Sequence, residues 1–157
     1  MPLVSAIQSH PLVDGRQSGR AMQVRRGLQS MLSTMGAASV PELTLANGRR
    51  ADLCGLFPDG TFWIIEIKSS LQDLRADHKW TDYTDFCDAL YFATLPDVPL
   101  NEFPEEAGLI LADKRDAEIV RAVEKMKMAP SRRKAVINRF ATVAAQRLYT
   151  AELLAPQ

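Results

Sequence analysis

The chain is 157 residues long, 46% apolar and formally neutral, which suits one globular domain with a core that needs no disulfide or metal staple. Its two cysteines, Cys54 and Cys87, lack C-x-x-C spacing, and two histidines, His10 and His78, are too few for a zinc site, so free thiols in a reducing compartment are expected. No basic n-region leads into an apolar run at the start, and no apolar stretch approaches the ~18 residues that cross a bilayer, which predicts a cytoplasmic protein with no membrane partner.

Charge is unevenly placed. Residues 1–50 carry +4, residues 51–119 carry −10 and residues 120–157 carry +6. An acidic middle between basic ends suits a metal-binding centre with phosphate-gripping walls, although ordinary solvated faces give the same count.

Residues 1–15 hold two prolines and no apolar period and read as an irregular arm; residues 16–157 read as a single domain. From about 17 to 35, Ala21, Val24, Leu28, Met31, Leu32 and Met35 recur at three- and four-residue steps, which predicts an amphipathic helix ended by Gly36. Arg20, Arg25 and Arg26 are placed on its exposed face as candidate phosphate contacts, with simple solubility the bland alternative. "VPELTL", "RADLCGLF" and "TFWIIEIK" follow as three extended segments, separated by Asn47-Gly48 and Pro58-Asp59-Gly60, and predict an antiparallel meander.

Residues 71–87 are spaced for a helix on Leu74, Trp80, Tyr83, Thr84 and Cys87. "DALYFAT" and "AGLILA" read as further strands around a proline-rich acidic loop. Two helices are expected to close the chain. The first covers about 116–127 on Ile119, Val120, Val123 and Met126; the second is capped by Ser131, with Ile137, Phe140, Ala144 and Leu148 on one face.

The hairpin after Leu56 decides whether its charged residues can act together. Proline first and glycine third suit a three-residue loop, a type I turn followed by a left-handed glycine. Phe57 then lies opposite Thr61, and counting outward places Asp52 opposite Glu66, with Lys68 on the same face as both and as Cys54, Leu56, Phe62 and Ile64. A two-residue loop would turn Asp52 to the other face. Two carboxylates whose Cβ atoms are ~5 Å apart repel unless something positive sits between them. Hard oxygen ligands select Mg²⁺ or Mn²⁺, and Lys68 could orient a water or offset charge on a phosphate. Read blandly, the three are polar strand ends.

The αβββαβ order, with an aspartate on the second strand and Glu66-Ile67-Lys68 closing the third, resembles the PD-(D/E)XK nuclease superfamily. The runs "PELTLANGRRADLCGL", "FWIIEIKSS", "DLRADHKWTDYTDFCDALYFA" and "GLILAD" are similar to its MmcB-like DNA repair family, over about residues 20 to 150. That resemblance implies a restriction-endonuclease-like α/β core with a mixed central sheet flanked by helices, followed by two extra C-terminal helices. It also implies a part in bacterial DNA damage repair, with Asp52, Glu66 and the Ile67 main-chain carbonyl on the metal and Lys68 as the motif lysine. Ala51 stands where the superfamily pattern has proline.

Supporting or DNA-contacting candidates are Glu42 near the hairpin, Arg50 beside Asp52, and Lys79 and Tyr83, which an α-helix would put on one face. Arg25 and Arg26 join them. His78 reads as a surface residue, and the "SRRK" run at 131–134 as a phosphate contact or a solvated first turn. P-loop, dinucleotide-binding, nucleophile-elbow and H-E-x-x-H motifs are absent. The resulting expectation is a Mg²⁺- or Mn²⁺-dependent deoxyribonuclease whose partners are DNA and other repair proteins. Its rival is a silent nuclease-like module that binds damaged DNA or a repair partner.

Overall fold

The computed structural model describes residues 18–157; the predicted arm lies outside the described residues. Ser18 caps helix α1 (Gly19–Thr34) by accepting the Ala21 N–H, and Val24, Leu28, Met31 and Leu32 bury its apolar stripe. Strands β1 (Ala38–Thr44), β2 (Arg50–Leu56) and β3 (Phe62–Ile67) follow as an antiparallel meander. A crossover through α2 (Leu71–Ala76) and a 3₁₀ helix (Trp80–Phe86) leads to β4 (Ala89–Thr94), parallel to β3. Strand β5 (Gly108–Ala112) is parallel to β4, and β6 (Ala117–Arg121) turns back along β5. The result is a six-stranded mixed sheet in the order β1-β2-β3-β4-β5-β6, completed by the long helix α3 (Pro130–Leu154).

The central strands β3 and β4 are buried along their whole length because both faces of the sheet are covered. On one face Trp63, Ile65, Ile67, Tyr91 and Ala93 pack under α1. On the other, Cys54, Phe62, Ile64 and Leu90 pack under Tyr83 and Phe86 of the 3₁₀ helix and Val136 and Phe140 of α3. Gly27 brings α1 onto the β5–β6 turn, since a Cβ there would sit 2.1 Å from the Asp113 carbonyl oxygen.

The decisive turn has the predicted length. Phe57 donates to the Thr61 carbonyl and Gly60 to the Phe57 carbonyl, both at 2.9 Å, with Gly60 at φ 89°. The ladder runs Leu56↔Phe62, Gly55↔Trp63, Cys54↔Ile64 and Leu53↔Ile65. Asp52 and Glu66 are the next step outward, so the even-numbered residues of both strands share the face under the 3₁₀ helix.

Three expected elements differ. Residues 117–121 of the predicted 116–127 helix form β6, and 122–129 are not helical. Asp113 Oδ1 accepts the N–H groups of Arg115 (2.7 Å) and Asp116 (3.0 Å), which closes a tight turn, and β-branched Ile119 then pairs with Ile110. A single helix therefore closes the chain, where two were expected. It begins at Pro130 with Ala129 at its N-cap, so Ser131 lies inside it. Its inward face is Val136 and Phe140 flanked by Val143 and Ala144, while Leu148 is 63% exposed. The helix expected over 71–87 is broken at Asp77–Lys79 into an α-helical and a 3₁₀ piece.

Candidate active site

At Asp52 and Glu66 the backbone ladder gives way to side-chain bonds. The Asp52 N–H donates to Glu66 Oε1 at 3.1 Å, and the Ile67 N–H donates to Asp52 Oδ2 at 2.8 Å. Each carboxylate thus accepts from the opposing strand. On the far side of β2, Pro41↔Leu53 and Leu43↔Ala51 are paired, which brackets Glu42 against Asp52, but Glu42 has φ 53° and interrupts the ladder there. A non-glycine residue in that region is strained and persists only where its surroundings fix it. Arg147 of α3 does so by donating to the Pro41 carbonyl and, at 2.8 Å, to the Glu42 carbonyl.

The sheet holds this pair in a low-dielectric place. Glu66 is only 5% exposed and Asp52 is half-buried. Burial, then the Asp52 charge, pushes the Glu66 carboxyl well above the usual carboxylate range. Burial lifts Asp52 as well, against the Ile67 N–H and the Lys68 charge, which pull it down. The pair therefore resists double ionisation unless a cation or a proton compensates it.

Lys68 leaves the end of β3 on this same face. Its backbone N–H donates to Ala93 O at 2.9 Å, and Thr94 Oγ1 donates to its carbonyl at 2.6 Å. Its ammonium meets Asp77 at 2.7 Å, with each side chain 13% exposed. Burial alone would raise the Asp77 carboxyl, but Lys68 and the Lys79 N–H outweigh it and leave it below the ordinary value.

The other candidates divide. Tyr83 is buried beneath the site and donates its hydroxyl to the Arg50 carbonyl at 3.0 Å, which fixes the start of β2 next to Asp52. The geometry makes it a support, and its ring is not an open stacking platform for a base. Lys79 does not share a helix face with it: Lys79 is exposed and precedes a 3₁₀ helix, whose three-residue turn aligns Trp80, Tyr83 and Phe86 instead. Arg25 is 3% exposed, so the expected exposed phosphate contact is a buried residue of α1; Arg26 is exposed, on the helix that covers the opposite sheet face. Arg20, the third of that trio, is engaged with Asp97 at 2.7 Å and with the Ser69 carbonyl. In "SRRK", Arg133 forks onto Asp88 and Arg132 lies over the Phe86 ring, so two of those cations are used inside the fold. Asp77 and Arg147 carry no cue of their own in the amino-acid order.

A groove of about 1200 Å³ runs between the β1–β2 turn, the 3₁₀ helix and the start of α3, bordered by Asn47, Arg49, Asp82, Arg132 and Arg139. It does not contain Asp52, Glu66 or Lys68, so its size does not locate the chemistry. The donor set does. Among the described residues no three His, Cys, Asp or Glu converge as a metal cluster, which disfavours a zinc-type cage. Two carboxylates suit Mg²⁺ or Mn²⁺, which keep several waters and take one or two carboxylates from the protein. Each acid accepts one N–H of the opposing strand, and the two carboxyl groups also interact with each other.

Comparison with known proteins agrees with this core. The model of the DNA repair protein MmcB-like family matches residues 8–155, nearly the whole chain. The chain belongs to the MmcB-like family of DNA repair proteins. A solved structure, the SPO1766 protein of unknown function from Silicibacter pomeroyi, is 43% identical, with a TM-score of 0.81 over 84% of this chain and 90% of that one. None of the curated proteins compared with the chain matches it. No helix among the described residues is long and apolar enough to cross a membrane.

Proposed function

We propose that this MmcB-like protein is a metal-dependent phosphodiesterase that cleaves DNA in the bacterial damage response. The observation that carries the reading is the reciprocal Asp52–Glu66 pair with the Lys68 ammonium on the same sheet face. Asp52 and Glu66 would hold Mg²⁺ or Mn²⁺, joined by the Ile67 carbonyl, since an extended residue sends its C=O to the same side as its N–H. The cation, when bound, supplies Lewis acidity toward a phosphate oxygen. The chain's own residues do the rest. Lys68 places a positive charge beside the acids, where it can orient the attacking water or offset charge on the phosphorane. Tyr83 holds the start of β2 next to Asp52, and Arg147 holds β1 beside it. Exposed Lys79 and half-buried Arg50 are candidates for phosphate contacts, and the cytoplasm is where such a protein meets its DNA.

The test is incubation of the pure protein with single-stranded, nicked, branched and duplex DNA in Mg²⁺ or Mn²⁺, beside Asp52→Ala and Lys68→Ala. Cleavage lost in both variants supports the site. Cleavage that persists in both removes it, and absence of cleavage with metal-independent DNA binding would replace the enzyme with a silent binding module.

A further inference from the structure

We propose that Asp77 is the positioning residue that aims Lys68 at a phosphate held beside Asp52 and Glu66; the inference rests on the nuclease reading of that site. A lysine amine rides on a flexible four-carbon stem, and its direction is undefined unless a partner fixes it. Here the partner is itself fixed. One oxygen of Asp77 meets the Lys68 ammonium at 2.7 Å, and the other accepts the Lys79 N–H at 2.9 Å. The carboxylate therefore belongs to a local turn of its own backbone, of the kind aspartate forms with the residue two further on.

That turn is also where the helical stretch breaks. Asp77 ends α2, donating its own N–H to the Leu74 carbonyl, and leaves helical geometry at ψ 111°. An uninterrupted helix over 71–87 would give the Asp77 backbone no such turn. The break is what lets the carboxylate reach the end of β3. At 13% side-chain exposure on both partners, the pair is shielded enough to hold a geometry that an exposed ion pair would not. With Ala93 and Thr94 holding its backbone, Lys68 is fixed at both ends.

Asp77→Asn is the informative change, because it keeps a side-chain oxygen for the Lys79 N–H while removing the charge. Asp77→Glu restores the charge on a longer stem. Two readouts separate orientation from fold. In metal-free protein labelled with ¹⁵N-lysine, a slowly exchanging Lys68 ammonium resonance, identified by its absence in Lys68→Arg, is expected in the wild type and lost in Asp77→Asn. In the cleavage assay kcat is expected to fall about 10- to 100-fold in Asp77→Asn with KM within about twofold, and to recover in part in Asp77→Glu. A resonance that survives in Asp77→Asn, or one that disappears while kcat stays at the wild-type value, would overturn the assignment. If the wild type cleaves nothing, the nuclease reading falls by itself. The resonance then decides the latch, its loss in Asp77→Asn supporting it and its persistence overturning it.

Discussion

Asp52 and Glu66 exchange hydrogen bonds across the β2–β3 pair where the backbone ladder stops: the Asp52 N–H reaches Glu66 Oε1, and the N–H next to Glu66, that of Ile67, reaches Asp52 Oδ2. The two acids are thereby pinned by backbone groups in an orientation neither would keep by electrostatics alone, since each is repelled by the other. Such an arrangement is unfavourable for the metal-free fold and suited to a cation, and both halves of that statement can be measured.

The first is a pH effect on stability. Burial, and then Asp52, raises the Glu66 carboxyl. A raised carboxyl keeps its proton in the folded chain after the unfolded chain has lost it, so the stability it contributes is full below the unfolded value of ~4.3 and is lost as pH rises through the folded value. Metal-free wild type should therefore become easier to unfold by urea as pH climbs from about 5 toward 8. Glu66→Gln, which cannot ionise, should show a flatter profile and exceed the wild type at the alkaline end. Parallel profiles for the two proteins would mean that Glu66 ionises without penalty.

Metal binding should reverse that penalty and release a proton. A carboxylate ligand must be ionised, so a pair that retains a proton gives it up on binding, and apparent affinity rises with pH. Calorimetric titration with Mn²⁺ in two buffers of different ionisation heat should show release of up to about one proton at neutral pH. Heat should vanish in Glu66→Ala. Unchanged heat in that variant would show that the acids are not the ligands.

The α1–sheet contact makes a separate prediction. A methyl at Gly27 would lie 2.1 Å from the Asp113 carbonyl oxygen and 2.5 Å from that of Asp116, both backbone atoms of a tight turn that cannot swing aside. Gly27→Ala should destabilise by about 1–3 kcal/mol, more than the ~1 kcal/mol alanine gains in helix propensity. Gly19→Ala on the same helix has open space and serves as the control. Equal denaturation midpoints for the two variants would argue against the close approach.

What could be read from the sequence follows from how local its causes are. Pro58 and Gly60 set their turn within three residues, and that turn alone fixed the register that puts Asp52 across from Glu66. Ile119, Val120 and Val123 carry a helical period, and the extended outcome was set instead by a distant partner, β5, and by the Asp113 side chain. Trp80, Tyr83 and Phe86 did carry a visible three-residue period, the mark of a 3₁₀ helix, but it is easily merged into an amphipathic α-helix. Asp77 was not legible, because its role depends on where a helix breaks and on a lysine from another strand. Arg25 misled because arginine is seldom buried, and burial is a property of the whole fold.

Asp88 offers the last test, because it gathers three parts of the chain around one carboxylate. It is 5% exposed and accepts the Phe62 N–H at 2.7 Å, the Met128 N–H at 3.3 Å and both arms of Arg133 at 2.5 and 2.8 Å, while its backbone carbonyl takes the Met126 N–H. Burial alone would raise this carboxyl, but Arg133 and the two N–H groups prevail and hold it below the ordinary value. The sign is therefore opposite to that of Glu66: its contribution is present above the unfolded aspartate value of ~3.9 and is lost as pH falls through the folded one. Asp88→Ala strands the Arg133 charge and leaves two N–H groups without their acceptor, and should destabilise by about 3–5 kcal/mol. Arg133→Ala leaves Asp88 with both N–H donors and should cost less, about 1–3 kcal/mol. Urea unfolding at neutral pH ranks the two, and a larger loss in Arg133→Ala would show that the guanidinium, through its further bond to the Gly60 carbonyl, anchors the hairpin more than the carboxylate does.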